Sequence, residues 1–382
     1  MTVVDFVPLS PARLADTRAG ASTVDGLFAG GGPRATNTTL ELVVAGRGGV
    51  PSDAIAVALN VTAVDPIGSG YVTVFPCGQA QPNASNVNFR ARATVPNSVF
   101  AKLGAGGKVC LFTSQGTHLV VDVAGAFPAE SRYQPSNPAR VLDTREGSST
   151  VDGKQQGGGA AGMGSVTVLH LAGRAGVSTG VDSVVLNVTA TDSSGAGYVT
   201  VYPCDAQRPN SSNLNLAAGT EVANLVVAKA AANGDVCLYT SQPTQLIADV
   251  SGQLPAGTTF TTVVPGRLLD SRAGGSTVDG VGAATGLVAA GSITRVHVSG
   301  RAGVRSTATT VLLNVTITEP QGAGYATVFP CGIDPPLASN VNFSSGQTVS
   351  NSAIVKVGAG GDVCVSTSQP TQLIVDVLGD VA

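Results

Sequence analysis

The stretch Gly-Tyr-Val-Thr-Val-Phe-Pro-Cys at residues 70–77 decides the fold class of this 382-residue chain. Its side chains alternate with a period of two, which is typical of a β-strand with one buried face. The same stretch, with one substitution each time, recurs at residues 197–204 and 324–331. The recurrence indicates that one structural unit occurs three times in the chain.

The step between copies is 127 residues at every marker, including the motif Arg-Leu-Ala-Asp-Thr-Arg that starts at Arg13. A unit of this length has the size of a domain and is too long for a solenoid or propeller repeat. The constant step across both joints favours units held in a fixed relation, around a pseudo-threefold axis, over units on flexible tethers. We therefore expect three tandem domains, at residues 1–127, 128–254 and 255–382.

Each unit contains about eight short segments with strand character, separated by Gly and Pro turns. One of them, Ala-Val-Ala-Leu-Asn-Val-Thr-Ala at residues 56–63, is rich in small and β-branched residues. Short strands at a spacing of about ten residues are typical of sandwiches and jelly rolls. The sequence therefore predicts an all-β protein of three β-sandwich or jelly-roll-like domains with little helix.

The composition excludes several classes of function. Hydrophobic residues make up 43% of the chain, which is enough for sizeable cores and argues against disorder. Charged residues make up only 12% and the net charge is −3, so nucleic-acid binding is not expected. No apolar run approaches the roughly 18 residues of a transmembrane segment. This charge-poor composition favours an extracellular protein or an assembly component over a metabolic enzyme.

The six cysteines form one pair per unit, always 33 positions apart. No Cys-x-x-Cys motif or histidine partner is present, so no metal site is expected. We predict three disulfides, with buried free thiols as the alternative: Cys77–Cys110, Cys204–Cys237 and Cys331–Cys364. Disulfides favour an extracellular or cell-surface location. The opening residues do not resemble a signal peptide, so we expect either the mature region of an exported protein or a component of a particle.

No residue pattern points to catalysis. None of the three histidines recurs in all three units, and no nucleophile, phosphate-loop or metalloprotease motif is present. We expect no catalytic residues, no cofactor and no enzymatic activity.

The Arg-Leu-Ala-Asp-Thr-Arg motif predicts a network of charge-assisted hydrogen bonds among Arg13, Asp16 and Arg18 that holds this segment to its domain. Ligand binding is the alternative. The equivalent residues are Arg140, Asp143, Arg145, Arg267, Asp270 and Arg272. Asp122, inside an apolar strand, is expected to point outward or to accept hydrogen bonds from a neighbouring turn.

The asparagines form the most suggestive polar pattern, because this residue is disfavoured in strands. Two of them lie on one face of a strand in each unit, and a third follows nine residues after the second. An internal ladder that satisfies loop backbone is one explanation, and a polar groove for sugar hydroxyls, with a tyrosine to stack on the ring, is the other. The candidate ligand-binding residues are Asn86, Asn88, Asn213, Asn215, Asn340, Asn342, Tyr71, Tyr198 and Tyr325. The sequon at Asn60, inside an apparent core strand, is interpreted as chance.

The combined motifs resemble a family of repeats. These are Pro-x-Arg-Leu-x-Asp-Thr-Arg at residues 11–18, Leu-Asn-Val-Thr at 59–62, Gly-Tyr-Val-Thr-Val-x-Pro-Cys at 70–77, Ser-Asn-x-Asn at 85–88 and Val-Asp-Val-x-Gly at 121–125. The pattern resembles a repeat of secreted and cell-surface proteins of actinobacteria, which is often appended to hydrolases or present in tandem. The resemblance implies an exported location and a non-catalytic accessory role.

Two functions are compatible with these observations. The leading hypothesis is a non-catalytic secreted protein that binds cell-wall or other extracellular glycan multivalently, since three weak sites on one frame gain avidity. The alternative is a structural building block of a surface layer, fibre or particle, with self-assembly partners and no small-molecule ligand.

Overall fold

The computed structural model describes residues 3–336 and 338–382. Within these residues the only helical element is a single 3₁₀ turn, Ala105–Gly107, and the remaining elements are strands. The all-β class expected from the alternating segments is confirmed. No helix in the described residues has the length and hydropathy needed to cross a membrane.

Each repeat contributes eight strands. Strands β1 to β8 are Val7–Asp16, Thr38–Val43, Ala56–Val64, Gly70–Pro76, Val87–Phe89, Thr94–Lys102, Lys108–Thr113 and His118–Phe127. Strands β9 to β16 are Gln134–Asp143, Val166–His170, Ser183–Thr191, Gly197–Pro203, Leu214–Leu216, Val222–Lys229, Asp235–Thr240 and Gln245–Leu254. Strands β17 to β24 are Phe260–Asp270, Ile293–His297, Thr310–Thr318, Gly324–Pro330, Val341–Phe343, Val349–Lys356, Asp362–Thr367 and Gln372–Val381.

The prediction of three tandem β-sandwich or jelly-roll-like domains is wrong. The described residues form six small four-stranded antiparallel sheets, two from each repeat, in a six-bladed, propeller-like arrangement. We call each sheet a blade. The first repeat supplies blades with the strand orders β1-β8-β3-β6 and β2-β7-β4-β5, and the other repeats follow the same interleaved order. Period-two alternation identifies strands but does not show how the resulting sheets are arranged. The repeat length also gives no indication that each 127-residue unit forms two blades.

The alternating segments explain where the hydrophobic cores lie. In β4, Val72 and Val74 are buried and pack with Leu59 and Leu111 in one apolar cluster between the two blades of the first repeat. The second and third repeats have equivalent clusters. A fourth cluster is shared by all three repeats, and this sharing makes them one body.

The shared cluster is aromatic, and its members come from equivalent positions. Phe6, Tyr133 and Phe260 converge there with Phe100 and Phe127, and ring centroids of neighbouring members lie 4.2–6.5 Å apart. Edge-to-face and tilted contacts at these separations are favourable for aromatic rings. The residues just before β1, β9 and β17 therefore tie the three repeats together at one end of the molecule.

Beside this cluster, the equivalent residues Asp5, Arg132 and Thr259 join the three repeats, and we call this group the Asp5 clasp. Asp5 is fully buried and accepts hydrogen bonds from the backbone and guanidinium of Arg132, at 2.8 and 3.0 Å, and from the Thr259 hydroxyl at 3.0 Å. Burial raises the pKa of Asp5, but the hydrogen bonds from Arg132 and Thr259 outweigh burial, so this pKa lies below its ordinary value. One carboxylate thus joins all three repeats.

The three predicted disulfides, Cys77–Cys110, Cys204–Cys237 and Cys331–Cys364, are confirmed. Each joins the residue after the Tyr-Val-Thr-Val strand to the strand beside it in the same blade, with Cα atoms 5.0 Å apart. Disulfides of this kind indicate folding in an oxidising compartment.

Substituting Asp5 by Asn should lower the free energy of unfolding by about 1.5–3 kcal/mol at neutral pH, because charge-assisted hydrogen bonds to two other repeats are weakened. Since the folded-state pKa lies below the unfolded one, the contribution of Asp5 is complete above the unfolded value and is lost as the pH falls through the folded value. Urea unfolding of the two proteins should therefore differ at pH 7 and converge in acid. Glu130→Gln, at an exposed carboxylate in the linker that carries Arg132, is the control and should leave stability unchanged at both pH values. A pH-independent difference for Asp5→Asn would contradict the assignment.

Candidate functional site

Six buried asparagine side chains join the repeats around the axis, along which β6, β14 and β22 run. The Asn97 amide donates to the carbonyl of Asn86 in its own repeat and, at 2.9 Å, to Oδ1 of Asn187 in the next. Oδ1 of Asn97 accepts the backbone N–H of Leu225, also in the next repeat, at 3.1 Å. The same contacts recur from the second repeat to the third and from the third back to the first, through Asn224, Asn314, Ser352, Asn351, Asn60 and Ser98. The three repeats therefore close into a ring.

The asparagine of the Leu-Asn-Val-Thr motif completes each junction. Asn187 donates to the backbone carbonyl of Ser85 in the preceding repeat at 2.6 Å, and Asn314 and Asn60 donate to Ser212 and Ser339 in the same way. The interpretation of this position as a chance sequon overlooked that role. A signal was present: an asparagine in the middle of an apolar strand, at the same place in all three repeats, needs a buried partner.

The first asparagine of each Ser-Asn-x-Asn motif has its side-chain oxygen committed within the protein. Oδ1 of Asn86 accepts the backbone N–H of Val74 at 2.7 Å, and the Asn86 carbonyl accepts from Asn97. Asn213 and Asn340 make the equivalent bonds to Val201 and Val328. These three residues lie in an internal ladder beneath the surface.

The arginine–aspartate motif forms a compact ionic network. Arg13 contacts Asp122 at 2.9 Å and Asp16 at 3.0 Å, and Arg18 contacts Asp16 at 2.6 Å. The networks of the other repeats contain Arg140, Asp143, Arg145 and Asp249, and Arg267, Asp270, Arg272 and Asp376. Asp122 is buried and faces Arg13, so the expectation that it points outward is wrong.

This network also reaches across a junction between repeats. Asp249 of the second repeat accepts the backbone N–H of Ser85 in the first at 3.3 Å. Burial raises the pKa of Asp249, and Arg140 opposes this increase. The network therefore places the Asp249 carboxylate against the neighbouring repeat and also holds β9 against β16.

Above the asparagine ring, a cavity of about 780 Å³ lies on the axis and is lined by all three repeats. Its walls are the first residues of β6, β14 and β22, and successive residues form rings. Asn97 belongs to the inner end, and the exposed side chains of Thr94, Glu221 and Thr348 surround the mouth. Between them lie Pro96, Ala223 and Ser350. Val95, Val222 and Val349 also border the cavity, but their side chains pack against the cores of their own repeats. The asparagine ring fixes this geometry because it holds the three strands together just below the cavity.

The second asparagine of each Ser-Asn-x-Asn motif lines this cavity. Strand register places Asn88 directly opposite Tyr71, Asn215 opposite Tyr198, and Asn342 opposite Tyr325. All three asparagines and Tyr71 contribute to the cavity wall, whereas Tyr198 and Tyr325 lie outside it. The structure thus brings together one half of the sequence-predicted asparagines and separates them from the other half.

Polar groups in the cavity are incompletely satisfied. Oδ1 of Asn88 and Nδ2 of Asn215 are buried and have no hydrogen-bond partner among the described residues. Arg145 lies in the wall, but its guanidinium is bound to Asp143 at 2.8–2.9 Å. Glu221, whose equivalents are threonines, accepts a hydrogen bond from the Asn88 amide. Sequence comparison of the repeats could have found this difference, but only the structure shows that it lies at a cavity mouth.

No group of His, Cys, Asp or Glu side chains in residues 3–336 and 338–382 has an arrangement suited to a metal ion. His170 and His297 pair with Asp235 and Asp362 on strands away from the axis and do not contribute to the cavity.

Comparison with known proteins gives little guidance. No protein-family model matches the chain, and no curated protein matches it. One similar solved structure is described as the atomic structure of Sulfolobus Turreted Icosahedral Virus, with 10% identity over 91% of this chain and 83% of that chain and a TM-score of 0.19. Another is the N-terminal CBM22-1-CBM22-2 tandem domain from Paenibacillus barcinonensis Xyn10C, with 14% identity over 64% of this chain and 98% of that chain and a TM-score of 0.17. At these TM-scores neither similarity bears on fold or function.

Substituting Asn224 by Ala should lower the free energy of unfolding by on the order of 3 kcal/mol, because three buried hydrogen bonds are lost and their partners stay buried. Asn210→Ala, at an exposed loop asparagine of the same repeat, should change it by less than about 0.5 kcal/mol. Chemical denaturation measures both. Equal effects of the two substitutions would show that the ring does not hold the repeats together.

Proposed function

We propose that this is a non-catalytic extracellular or cell-surface protein that binds a glycan chain in the axial cavity. The observation that carries the proposal is the cavity itself, which has asparagine side chains from all three repeats in its wall: Asn88, Asn215 and Asn342. Its volume lies within the range of about 300–1,000 Å³ that is usual for small-ligand sites.

The side chains in the cavity suit the two kinds of surface that a sugar presents. Amide groups both donate and accept hydrogen bonds, as hydroxyl groups require. The Tyr71 ring, whose centroid lies 6.0 Å from that of Phe112, offers apolar surface to the C–H faces of a sugar.

One axial site differs from the multivalent arrangement of three separate sites that is expected from the sequence. Three separate grooves built on Asn86, Asn213 and Asn340 would need side-chain oxygens that are already bonded within the protein. One site on the axis uses the second asparagine of each Ser-Asn-x-Asn motif instead. A ligand there contacts three repeats at once, so affinity comes from one site that the repeats share.

The extracellular location is supported by the three disulfides and by the resemblance to repeats of secreted actinobacterial proteins. The non-catalytic role is supported by the position of the histidine–aspartate pairs outside the cavity.

A structural building block is the second candidate, favoured by one observation. The loop Ser-Thr-Val-Asp-Gly occurs in each repeat with an exposed valine, and Val24, Val151 and Val278 are 53–59% exposed. Each loop is held by an ion pair between its aspartate and a buried arginine, such as Asp25 with Arg47. A repeated, rigidly held apolar side chain is suited to contact with further copies of the chain. Concentration-dependent association in sedimentation velocity, abolished by Val→Ser at these positions, would favour this candidate.

Glycan binding can be tested by retention of the purified, oxidised protein on insoluble peptidoglycan, chitin and cellulose. Saturable binding to at least one of them is expected. Combined replacement of Asn88, Asn215 and Asn342 by Ala should weaken it at least about tenfold, the equivalent of one or two lost hydrogen bonds to the ligand.

The matched control replaces three exposed asparagines outside the cavity, Asn83, Asn137 and Asn210, by Ala. It should bind as the parent protein does, and the melting temperatures of both triple variants verify folding. Equal binding by the two variants, or no retention of the parent protein on any of the polymers, would overturn the proposal.

A further inference from the structure

We propose that Glu221 determines the specificity of the axial cavity and selects a glycan that carries a free, protonated amine over its N-acetylated counterpart. This inference rests on the proposed function, because it concerns the ligand of the same cavity. It is carried by the position of one carboxylate in a ring that is otherwise uncharged.

The ring at the mouth has broken threefold symmetry. Thr94 and Thr348 occupy the equivalent positions in the first and third repeats, so a hydroxyl on two sides faces a carboxylate on the third. Threonine at two positions shows that the strand does not require a carboxylate there for its own structure. The charge at Glu221 is therefore available for a role in the cavity.

The carboxylate of Glu221 has few partners within the chain. Among the described residues, its only hydrogen-bond donor is the neutral amide of Asn88. Within residues 3–336 and 338–382 it forms no ion pair, whereas the arginines of the adjacent network are paired with Asp143 and Asp249. A partly desolvated carboxylate with a single neutral donor gains from an additional donor, and most from a cation.

Among the described residues, no neighbouring cation bonds directly to Glu221. Arg145 lies in the wall but is bound to Asp143 through two nitrogens, and Asp192 beside it adds a further negative charge. Arg90, on the rim, donates to the carbonyl of Gly219 and keeps its positive charge, but it donates no hydrogen bond to Glu221 among the described residues. Desolvation by the cavity walls raises the pKa of Glu221, Asp192 adds to this increase, and Asn88, Arg145 and Arg140 offset only part of it. The ammonium group of an amino sugar would provide the missing charge.

The equivalent position in the next repeat has the asparagine of this pair but lacks the carboxylate. Asn88 of the first repeat faces Glu221 of the second, and the equivalent pair one repeat further on is Asn215 with Thr348. Nδ2 of Asn215 is buried without a partner, as expected where the threonine is too short to reach it. A glutamate at position 348 would therefore meet an amide that is already in place.

The test uses two soluble probes that differ only at nitrogen, a glucosamine hexamer and its N-acetylated form, at pH 6 by titration calorimetry. The parent protein should bind the amine form about tenfold or more tightly, in line with one charge-assisted hydrogen bond. Glu221→Thr, which makes the ring all threonine, should remove this preference, so that the two probes bind with equal affinity. The double variant Glu221→Thr, Thr348→Glu should restore the preference, and Glu221→Thr, Glu41→Thr, which removes a second exposed carboxylate away from the cavity, should not.

The outcomes separate this inference from the proposed function. Equal affinity of the parent protein for the two probes, or a preference that survives Glu221→Thr, would overturn the role of Glu221 and leave glycan binding intact. Binding of neither probe, together with no retention on the insoluble polymers, would overturn both. Thermal melting verifies that each variant is folded.

Discussion

The buried asparagine ring is the interaction on which the rest of the structure depends. An amide taken out of water must have its donors and acceptor satisfied, because each buried and unpartnered group costs about 1–3 kcal/mol. Asn97 satisfies this requirement with groups on the next repeat, and its two equivalents do the same. The repeats are therefore held in one rotational and axial register. Apolar packing at the aromatic end would by itself tolerate small shifts between the repeats.

The ring also determines where a ligand can bind. Because it holds β6, β14 and β22 together below their first residues, an open-mouthed cavity is left above it on the axis. The Asp5 clasp and the aromatic cluster hold the other end. The molecule thus has one rigid axial site. The asparagines at its inner end are needed for stability, whereas the residues at its mouth differ between the repeats.

The sequence predicts the elements of this structure better than their arrangement. Alternation in residues 70–77 identifies a strand, and equal cysteine spacing identifies the disulfides, because both depend on local geometry. The arrangement of the sheets depends on contacts between residues about 90–130 positions apart. The same contacts decide whether an asparagine is bonded inside the protein or lines the cavity. Asn86 and Asn88 are two positions apart, yet one is an internal acceptor and the other lines a cavity. Nothing in the local pattern distinguishes them, since both are asparagines on the same face of one alternating segment.

Fusion of three repeats into one chain gives the axis a property that three identical subunits could not have. Around an exact threefold axis, a carboxylate at one position would face two copies of itself, and like charges at close range are unfavourable. In this chain Asp5 meets an arginine and a threonine at its equivalent positions, and Glu221 meets two threonines. The first difference stabilises the closed ring, and the second places a single carboxylate in the ring at the cavity mouth. A repeated frame with divergent axial residues can therefore be altered in specificity by one substitution at the mouth, because the hydrogen bonds that close the ring lie deeper along the same strands.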